Sequence, residues 1–141
     1  TLHAKSYGYT GIALSKHLEN NGIFVEFCDK DYVTMMFSPQ NTKKDFKRVL
    51  KSLLSLPKST PITVAPPCGH ILEMGMAMSK AITANSEEIN VKDAVGRILA
   101  SPTVSCPPAI PVVVSGEIID EKAVEIMEYY SINTCIVVKN N

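Results

Sequence analysis

A proline-rich segment near the C-terminus, Ser105 to Glu117, constrains the fold of this chain more than any other stretch. Its sequence is S-C-P-P-A-I-P-V-V-V-S-G-E, in which three prolines fall within five residues. Because proline fixes φ and lacks a backbone N–H, residues 107–111 can form neither a helix nor a central strand. Val112 to Val114 favour a short buried strand, and Ser115-Gly116 favours a turn that presents Glu117. The segment therefore predicts a stiff, extended surface against which other parts of the protein pack.

The composition is that of a globular protein without a charge bias. The 141 residues include 14 basic and 14 acidic side chains, enough length for one domain or two small ones. The nearest approach to a basic run, Lys43 to Lys51, has the spacing of a solvated helix face, so we expect no nucleic-acid partner. No stretch approaches the roughly 20 apolar residues of a membrane span, and no signal peptide is apparent. We therefore expect no membrane partner and a cytoplasmic location.

Four cysteines, Cys28, Cys68, Cys106 and Cys135, lie far apart and form no CxxC pair. In a chain with ample Val, Ile, Leu and Met, we expect them to be reduced, buried thiols. Cys68-Gly69-His70 falls short of a zinc site, and no metal site is predicted. The chain begins at Thr1, in a stretch that reads like the interior of a longer protein, so we expect a fragment.

Alternating helix and strand patterns predict an α/β or α+β fold. The first half shows the order helix, strand, strand, helix, with the strands at residues 23–27 and 32–37. The helix after Thr42 carries an apolar stripe opposite its lysines, namely Phe46, Val49, Leu50, Leu53 and Leu54.

The second half is predicted to contain further short strands and helices. The strands are expected at residues 62–64 and 134–138, and short helices after Asn90 and Asp120. One more helix face is marked by Ile71, Met74, Met78 and Ile82. Between the halves, Pro57 to Pro61 places Lys-Ser-Thr between two prolines and is the best linker candidate, so we predict domains at residues 1–57 and 61–141.

Several motifs resemble the bacterial ornithine/lysine/arginine decarboxylases, which are pyridoxal-phosphate (PLP) enzymes of the aspartate-aminotransferase fold type. Val95-Gly96-Arg97-Ile98 is followed by Pro107-Pro108, Ile110-Pro111 and Gly116-Glu117, in the order and spacing of that family. The chain departs from the family pattern, which has Tyr, Gly and Pro at these places, at Cys106, Ala109 and Ser115.

The resemblance implies a fold and an activity. Residues 1–57 would be the closing part of the PLP-enzyme small domain, and residues 61–141 a decarboxylase-type C-terminal domain. The parent enzyme would remove CO2 from ornithine, lysine or arginine in polyamine biosynthesis, with PLP held by a large domain. We expect that large domain as a partner, and a homodimer or higher homo-oligomer.

The cofactor lysine of the family follows a serine and a histidine, as Ser-x-His-Lys. No such motif occurs in this sequence. We therefore expect the cofactor lysine to lie outside this chain, and the chain alone to bind no PLP and to be inactive.

Two glutamates are candidate substrate-binding residues. Gly22-Ile23-Phe24-Val25-Glu26 resembles the family's Gly-Ile-x-x-Glu, whose glutamate lines the pocket near the cationic end of the substrate. From the residues alone, Glu26 could equally be a solvent-facing glutamate on a strand edge. Glu117 could be a second acidic group near the active-site mouth, or an acid favoured by the dipole of the helix near Asp120.

A second interpretation stays open beside the enzyme fragment. The chain could be a non-catalytic protein-interaction module whose proline-rich segment is a docking surface. An upstream reading frame that encodes Ser-x-His-Lys would favour the decarboxylase.

Overall fold

The computed structural model describes residues 1–102 and 111–140, so the first six residues of the proline-rich segment, 105–110 with Cys106, lie outside the described residues. The chain divides into two compact units, Thr1–Ala65 and Pro66–Asn141. Each unit contains a three-stranded antiparallel sheet together with helices. The predicted mixed helix-and-strand class is confirmed, and it is α+β.

The first unit is built from a small sheet and two helices. Its strands, in the spatial order β1-β3-β2, are β1 (Leu2–His3), β2 (Phe27–Cys28) and β3 (Tyr32–Thr34). Its helical elements are a 3-10 helix at Ala4–Tyr7, α1 (Gly11–Asn20) and α2 (Lys43–Leu54). The two predicted helices are confirmed, whereas the two strands are shorter than the pattern predicts.

Helix α1 supplies the core of the first unit. The hydroxyl of Thr10 accepts the Ala13 N–H and caps the helix start. Leu14 and Leu18 are buried and pack in one cluster with Val33 of β3. The sheet is therefore held on the apolar face of α1.

Helix α2 begins with a side-chain cap and buries only part of its apolar stripe. The backbone N–H and the hydroxyl of Thr42 both donate to the Asp45 carboxylate, at 2.8 Å each. These bonds, the backbone N–H first, hold the pKa of Asp45 below its usual range. Leu53 packs against the core cluster of the first unit. The exposed part of the stripe is formed by Phe46, Leu50 and Leu54.

A buried ion pair ties the start of the first unit to its β2-β3 turn. Lys5 and Asp31 form a salt bridge, and their side chains are 5% and 0% exposed. The Lys5 ammonium also donates to the Val64 carbonyl at 2.7 Å. Three segments far apart in sequence are therefore joined at one buried point.

The second unit contains a second sheet and two helices. Its strands, in the spatial order β4-β6-β5, are β4 (Ser86–Asn90), β5 (Leu99–Ser101) and β6 (Thr134–Val138). Its helical elements are α3 (Met78–Thr83), a 3-10 helix at Val91–Asp93, and α4 (Glu121–Tyr129). The core consists of apolar side chains from the sheet, α4 and the loops, including Leu99, Val113, Ile119, Met127 and Val137.

Three local predictions for the second unit are wrong. Residues 112–114 form no strand, although Val113 is buried in the core. The helix predicted after Asn90 is only the 3-10 turn at Val91–Asp93, because Leu99 pairs in β5 instead. Ile71 and Met74 precede α3 in non-helical backbone, so the predicted helix face is reduced to Met78 and Ile82.

The predicted linker at residues 57–61 is bonded to the first unit. The Ser59 N–H donates to the Tyr7 carbonyl, and the Tyr9 hydroxyl donates to the Pro57 carbonyl at 2.6 Å. The Ile62 N–H donates to the Lys5 carbonyl. The division between the units falls later, at residues 65 and 66.

We expect proteinase K to cleave the native chain within residues 66–71 before it cleaves within residues 57–62. The later stretch is half-buried to exposed, and it takes part in no backbone bond between the described residues, unlike the earlier one. The intact masses of the first two fragments identify the first cleavage site. First cleavage within residues 57–62 would contradict this expectation and favour the earlier boundary.

Candidate functional site

Glu26 lies at the entrance to strand β2, with its side chain exposed. Its backbone N–H donates to the Thr34 carbonyl at 2.9 Å, which extends the pairing of β2 with β3 by one residue. The side chain is thus carried on a fixed backbone rather than on a free loop. Within the first unit, the carboxylate faces outward, where a cationic group can approach it.

The residues around Glu26 are divided between the core and the surface. Ile23 and Val25 pack against the core cluster of the first unit, whereas Phe24 is 83% exposed. Cys28 also packs against that cluster, so it does not share the exposed side of Phe24 and Glu26. Residues 23–26 therefore alternate between the core and the surface, and this alternation is lost at β2.

A shallow depression of about 170 Å³ lies beside Phe24. Apolar walls come from Phe24, Met36 and Phe37, and polar groups come from Asn41, Asp45 and Arg48 of the loop and α2. The Phe37 ring stacks on Phe46 with ring centroids 4.9 Å apart, so the depression continues onto the exposed stripe of α2. The depression therefore combines apolar walls with one basic and one acidic side chain.

Glu117 is half-buried in the second unit and stabilises its own turn. Its carboxylate accepts the Val114 N–H at 2.8 Å, and its backbone N–H donates to the Val114 carbonyl. Gly116 has φ of 94°, a left-handed conformation that a glycine adopts without strain. One oxygen of Glu117 is therefore engaged in the turn.

The Gly-Arg-Ile motif has a structural role in the second unit. Arg97 donates to the Glu87 carboxylate at 2.7 Å and to the Val138 carbonyl at 2.8 Å. The backbone of Gly96, with φ of 79°, donates to the Ile119 carbonyl. The motif thus connects strands β4 and β6 to the segment that precedes α4.

A histidine–aspartate pair at the start of α4 was not predicted from the sequence. Asp120 caps the helix by accepting the Ala123 N–H at 2.7 Å, as the sequence predicts, and it also contacts His70 Nε2 at 2.6 Å. The Ala123 N–H and then His70 hold the pKa of Asp120 below its usual range. His70 is separated from Asp120 by 50 positions, so no local pattern could reveal the contact.

The cysteines differ in their surroundings. Cys135 is buried, and burial raises the pKa of its thiol. Cys28 is half-buried, and Cys68 is exposed, so the prediction of buried thiols is wrong for Cys68.

No group of three metal-ligating side chains occurs among the described residues. The helices of this described part are all too short or too polar to span a membrane.

Comparison with known proteins agrees with this architecture. Residues 68–137 match the family described as "Orn/Lys/Arg decarboxylase, C-terminal domain". The chain is 31% identical over 128 residues to an arginine decarboxylase of Bacillus subtilis (strain 168). It is 29% identical over 129 residues to an arginine decarboxylase of Halalkalibacterium halodurans. These matches cover 86% and 85% of this chain and 26% of each relative, so the chain spans about a quarter of their length.

Solved structures show the same fold. The constitutive lysine decarboxylase of E. coli superposes with a TM-score of 0.65 at 16% identity, covering 92% of this chain and 28% of that one. Lysine decarboxylase A from Pseudomonas aeruginosa superposes with a TM-score of 0.67 at 16% identity, covering 95% and 28%. The two α+β units thus share their fold with part of these solved decarboxylases. The chain belongs to the Orn/Lys/Arg decarboxylase family and corresponds to the C-terminal part of its members.

Proposed function

We propose that this chain is the C-terminal part of a PLP-dependent decarboxylase of a basic amino acid, with ornithine, lysine and arginine as the candidate substrates. The observation that carries the proposal is the 31% identity to an arginine decarboxylase over 128 residues, which includes both units. In this proposal the chain shapes the substrate pocket, and a large domain outside it is its partner. The parent enzyme acts in polyamine biosynthesis in the cytoplasm as a homodimer or higher homo-oligomer.

Glu26 is the proposed contact for the distal cationic group of the substrate. Its support is threefold: the Gly-Ile-x-x-Glu spacing, the fixed backbone beside β3, and an exposed carboxylate two residues after the exposed Phe24. Covering that surface on assembly would desolvate the carboxylate, which strengthens its attraction for an ammonium or guanidinium group. Aliphatic parts of the substrate chain would then lie against Phe24.

Glu117 is proposed as a second acidic group at the entrance to the pocket. Because one of its oxygens accepts the Val114 N–H, the carboxylate is held in one orientation. A fixed negative charge at the mouth attracts a cationic substrate without binding it as tightly as Glu26 would.

The described residues do not fit PLP by themselves. The one buried lysine, Lys5, is paired with Asp31 and bonded to Val64, and Lys30 is half-buried. Every other lysine is exposed on the surface, and none lines the depression beside Phe24. We therefore assign no cofactor-dependent step of the reaction to residues of this chain, and we propose that the large domain binds PLP.

We expect the isolated chain to bind no PLP and to decarboxylate no basic amino acid. Incubation with PLP should give no visible absorption band of a lysine-bound cofactor, and borohydride should trap no stoichiometric adduct. Mass spectrometry after borohydride treatment measures the adduct, and a free-lysine peptide of equal concentration serves as the control for nonspecific reaction. One stoichiometric adduct at a single lysine of the folded chain would contradict the proposal.

The non-catalytic interaction module remains the second candidate. It is favoured by the amount of exposed apolar surface on α2 and beside it, which a soluble monomer rarely shows in one place. Sequencing the reading frame upstream of Thr1 separates the two: a Ser-x-His-Lys motif in frame supports the decarboxylase.

A further inference from the structure

Helix α2 carries two parallel rows of exposed side chains, here together called the α2 surface. The apolar row has four-residue spacing and consists of Phe46, Leu50 and Leu54. These side chains are 48%, 57% and 76% exposed in that order. The basic row lies three positions earlier and consists of Lys43, Lys47 and Lys51. Because residues three apart are neighbours on a helix, each lysine lies beside one apolar side chain of the first row.

The α2 surface and the depression beside Phe24 use different sides of the helix. The helix residues that line the depression are Asp45, Arg48 and Val49. Successive residues of a helix are turned by about 100° around its axis, so these three project from the side roughly opposite the two rows. The ring of Phe37 borders both regions, since it lines the depression and stacks on Phe46. A partner on the α2 surface therefore leaves Phe24 and Glu26 to the proposed substrate pocket.

The apolar stripe of α2 is wider than the core of the first unit covers. Leu53 packs against the core cluster, whereas Leu50 and Leu54 lie farther round the helix and stay exposed. The stacked ring of Phe37, itself 46% exposed, widens the strip beyond the helix. A contiguous apolar patch of this kind with a charged border marks an interaction site.

The first residue of the chain lies near this surface. Strand β1 pairs antiparallel with β3, and the hydroxyl oxygen of Thr1 is 3.0 Å from that of Thr34. In an antiparallel pair, polypeptide that precedes Thr1 runs past the residues that follow Thr34. Three residues separate Thr34 from Phe37, a span of at most roughly 10 Å. A preceding segment therefore reaches the stack of Phe37 on Phe46 within a few residues.

The related arginine decarboxylases are about four times as long as the part that this chain matches, which is 26% of each. Because the chain corresponds to the C-terminal part of the family, most of the proposed parent enzyme would precede Thr1. A segment tethered at Thr1 meets the α2 surface at an effective concentration on the order of mM. A second copy in dilute solution competes poorly with such a segment.

The charge of the first unit indicates the chemistry of its partner. Residues 1–65 contain nine Lys or Arg and five Asp or Glu, a formal charge of 9 − 5 = +4. Contact between the α2 surfaces of two copies would bring both lysine rows together, and such like-charge contacts are costly. A partner with acidic side chains beside its apolar ones would instead be complementary to both rows.

We propose that the α2 surface is the docking face for an amphipathic, acid-bordered helix in the part of the parent polypeptide that precedes Thr1. A helix fits because side-chain ridges at four-residue spacing pack into the grooves of a second helix. The apolar row from Phe46 to Leu54 is about 12 Å long, so the partner needs at least about two turns. The existence of that preceding polypeptide rests on the proposed function, whereas the docking itself does not require decarboxylation.

Photo-crosslinking in the full-length parent protein identifies the occupant. With p-benzoylphenylalanine in place of Leu50, irradiation should join this position to a residue upstream of Thr1 in the same polypeptide. The product should keep the mass of one polypeptide on a denaturing gel, and peptide mass spectrometry locates the joined residue. A product of doubled mass would assign the surface to a second copy, and a product of another mass would assign it to a separate protein. Either product, or no crosslink at all, overturns the proposal.

Hydrogen exchange of α2 tests the docking with two matched variants. Leu50→Asp alters the α2 surface, and Ile12→Asp alters α1, and both side chains are 57% exposed. In the 141-residue chain, each should change exchange of its own helix by less than about threefold, because neither side chain is in the core. In the parent protein, Leu50→Asp should speed exchange across α2 by about thirtyfold or more, because it places a charge in a covered apolar contact. Ile12→Asp should stay within about threefold there as well.

Two outcomes of the exchange experiment contradict the docking. One is an effect of Leu50→Asp that is the same in the 141-residue chain and in the parent protein. The other is an equal effect of Leu50→Asp and Ile12→Asp within the parent.

A charge variant tests the acidic border of the partner. In the parent protein, Lys47→Glu should speed exchange across α2 about tenfold, since it places an acid opposite acids. Lys16→Glu makes the same charge change at an exposed site on α1 and should have less than about a twofold effect on exchange of α1. Equal effects of the two variants would overturn the acid-bordered partner.

None of these measurements reads decarboxylation, so the docking and the proposed function can fail separately. An upstream reading frame without Ser-x-His-Lys removes the decarboxylase assignment, and the crosslinking and exchange tests still apply to the protein that it encodes. An active decarboxylase in which position 50 crosslinks to nothing upstream of Thr1 keeps that assignment and overturns the docking.

Discussion

Replacing Asp31 by alanine is expected to destabilise the first unit by about 3–5 kcal/mol. The Asp31 side chain is fully buried and the Lys5 side chain is 5% exposed, so the substitution leaves an ammonium group in the interior without its counter-charge. The bond from Lys5 to the Val64 carbonyl offsets only a small part of that cost. For a unit of this size, the expected fall in Tm is at least about 12 °C.

Hydrogen exchange followed by mass spectrometry measures this loss of stability in each unit separately. Peptides from residues 1–65 should lose protection in Asp31→Ala, whereas peptides from the second unit should change little. Glu128→Ala is the matched control, because it removes one member of the exposed Lys92–Glu128 pair and should cost less than about 1 kcal/mol. A double replacement, Lys5→Met with Asp31→Leu, should recover most of the stability. Equal destabilisation by Asp31→Ala and Glu128→Ala would contradict the expectation.

The Lys5–Asp31 pair illustrates what a single sequence does not reveal. Asp29-Lys30-Asp31 has the composition of an ordinary polar turn. The turn does form, with the Asp29 carboxylate accepting the N–H groups of Asp31 and Tyr32. The burial of Asp31 depends on the 3-10 helix and on the segment near Val64, both of which are distant in sequence. No local sequence pattern predicts that these segments contact one another.

The helices were predictable because their signals are local. Thr10, Thr42 and Asp120 all stand at the residue before a helix, and apolar spacing marks the helix that follows each of them. Sheet strands are less well marked, because their pairing depends on distant partners. The strand predicted at residues 23–27 begins late, since the Ile23 N–H still bonds the Leu18 carbonyl at the end of α1. Only Glu26 to Cys28 then remain to pair with β3.

The valine run shows a second limit of pattern reading. Val112 to Val114 have strong strand preference, yet the Val114 N–H and carbonyl are both bonded to Glu117 in a tight turn. Those groups cannot also join a sheet. The sequence correctly predicts a turn at Glu117. The bond from the Val114 N–H to the Glu117 carboxylate depends on the geometry of that turn, which the composition of the valine run does not reveal.

The last expectation concerns Glu26 in a full-length enzyme that contains this chain. Glu26→Gln keeps the size and hydrogen-bonding capacity of the side chain and removes the charge that a basic substrate would pair with. Loss of one partner of a desolvated charge pair costs roughly 2–5 kcal/mol, which is about a thirtyfold or larger fall in kcat/KM. The fold should be unaffected, because the side chain is exposed in the first unit and its backbone bond to Thr34 does not involve the carboxylate. The measurements are Tm and kcat/KM with ornithine, lysine and arginine.

Glu19→Gln is the matched control for this variant. Glu19 is an exposed glutamate on α1, and the substitution makes the same chemical change away from the Gly-Ile-x-x-Glu motif. Its kcat/KM should stay within about twofold of the parent. A selective fall for Glu26→Gln, with Tm unchanged in both variants, supports the substrate contact, since a purely structural role would lower Tm as well. Unchanged kinetics with all three amino acids would identify Glu26 as a surface glutamate at the edge of β2, the alternative that its residues alone left open.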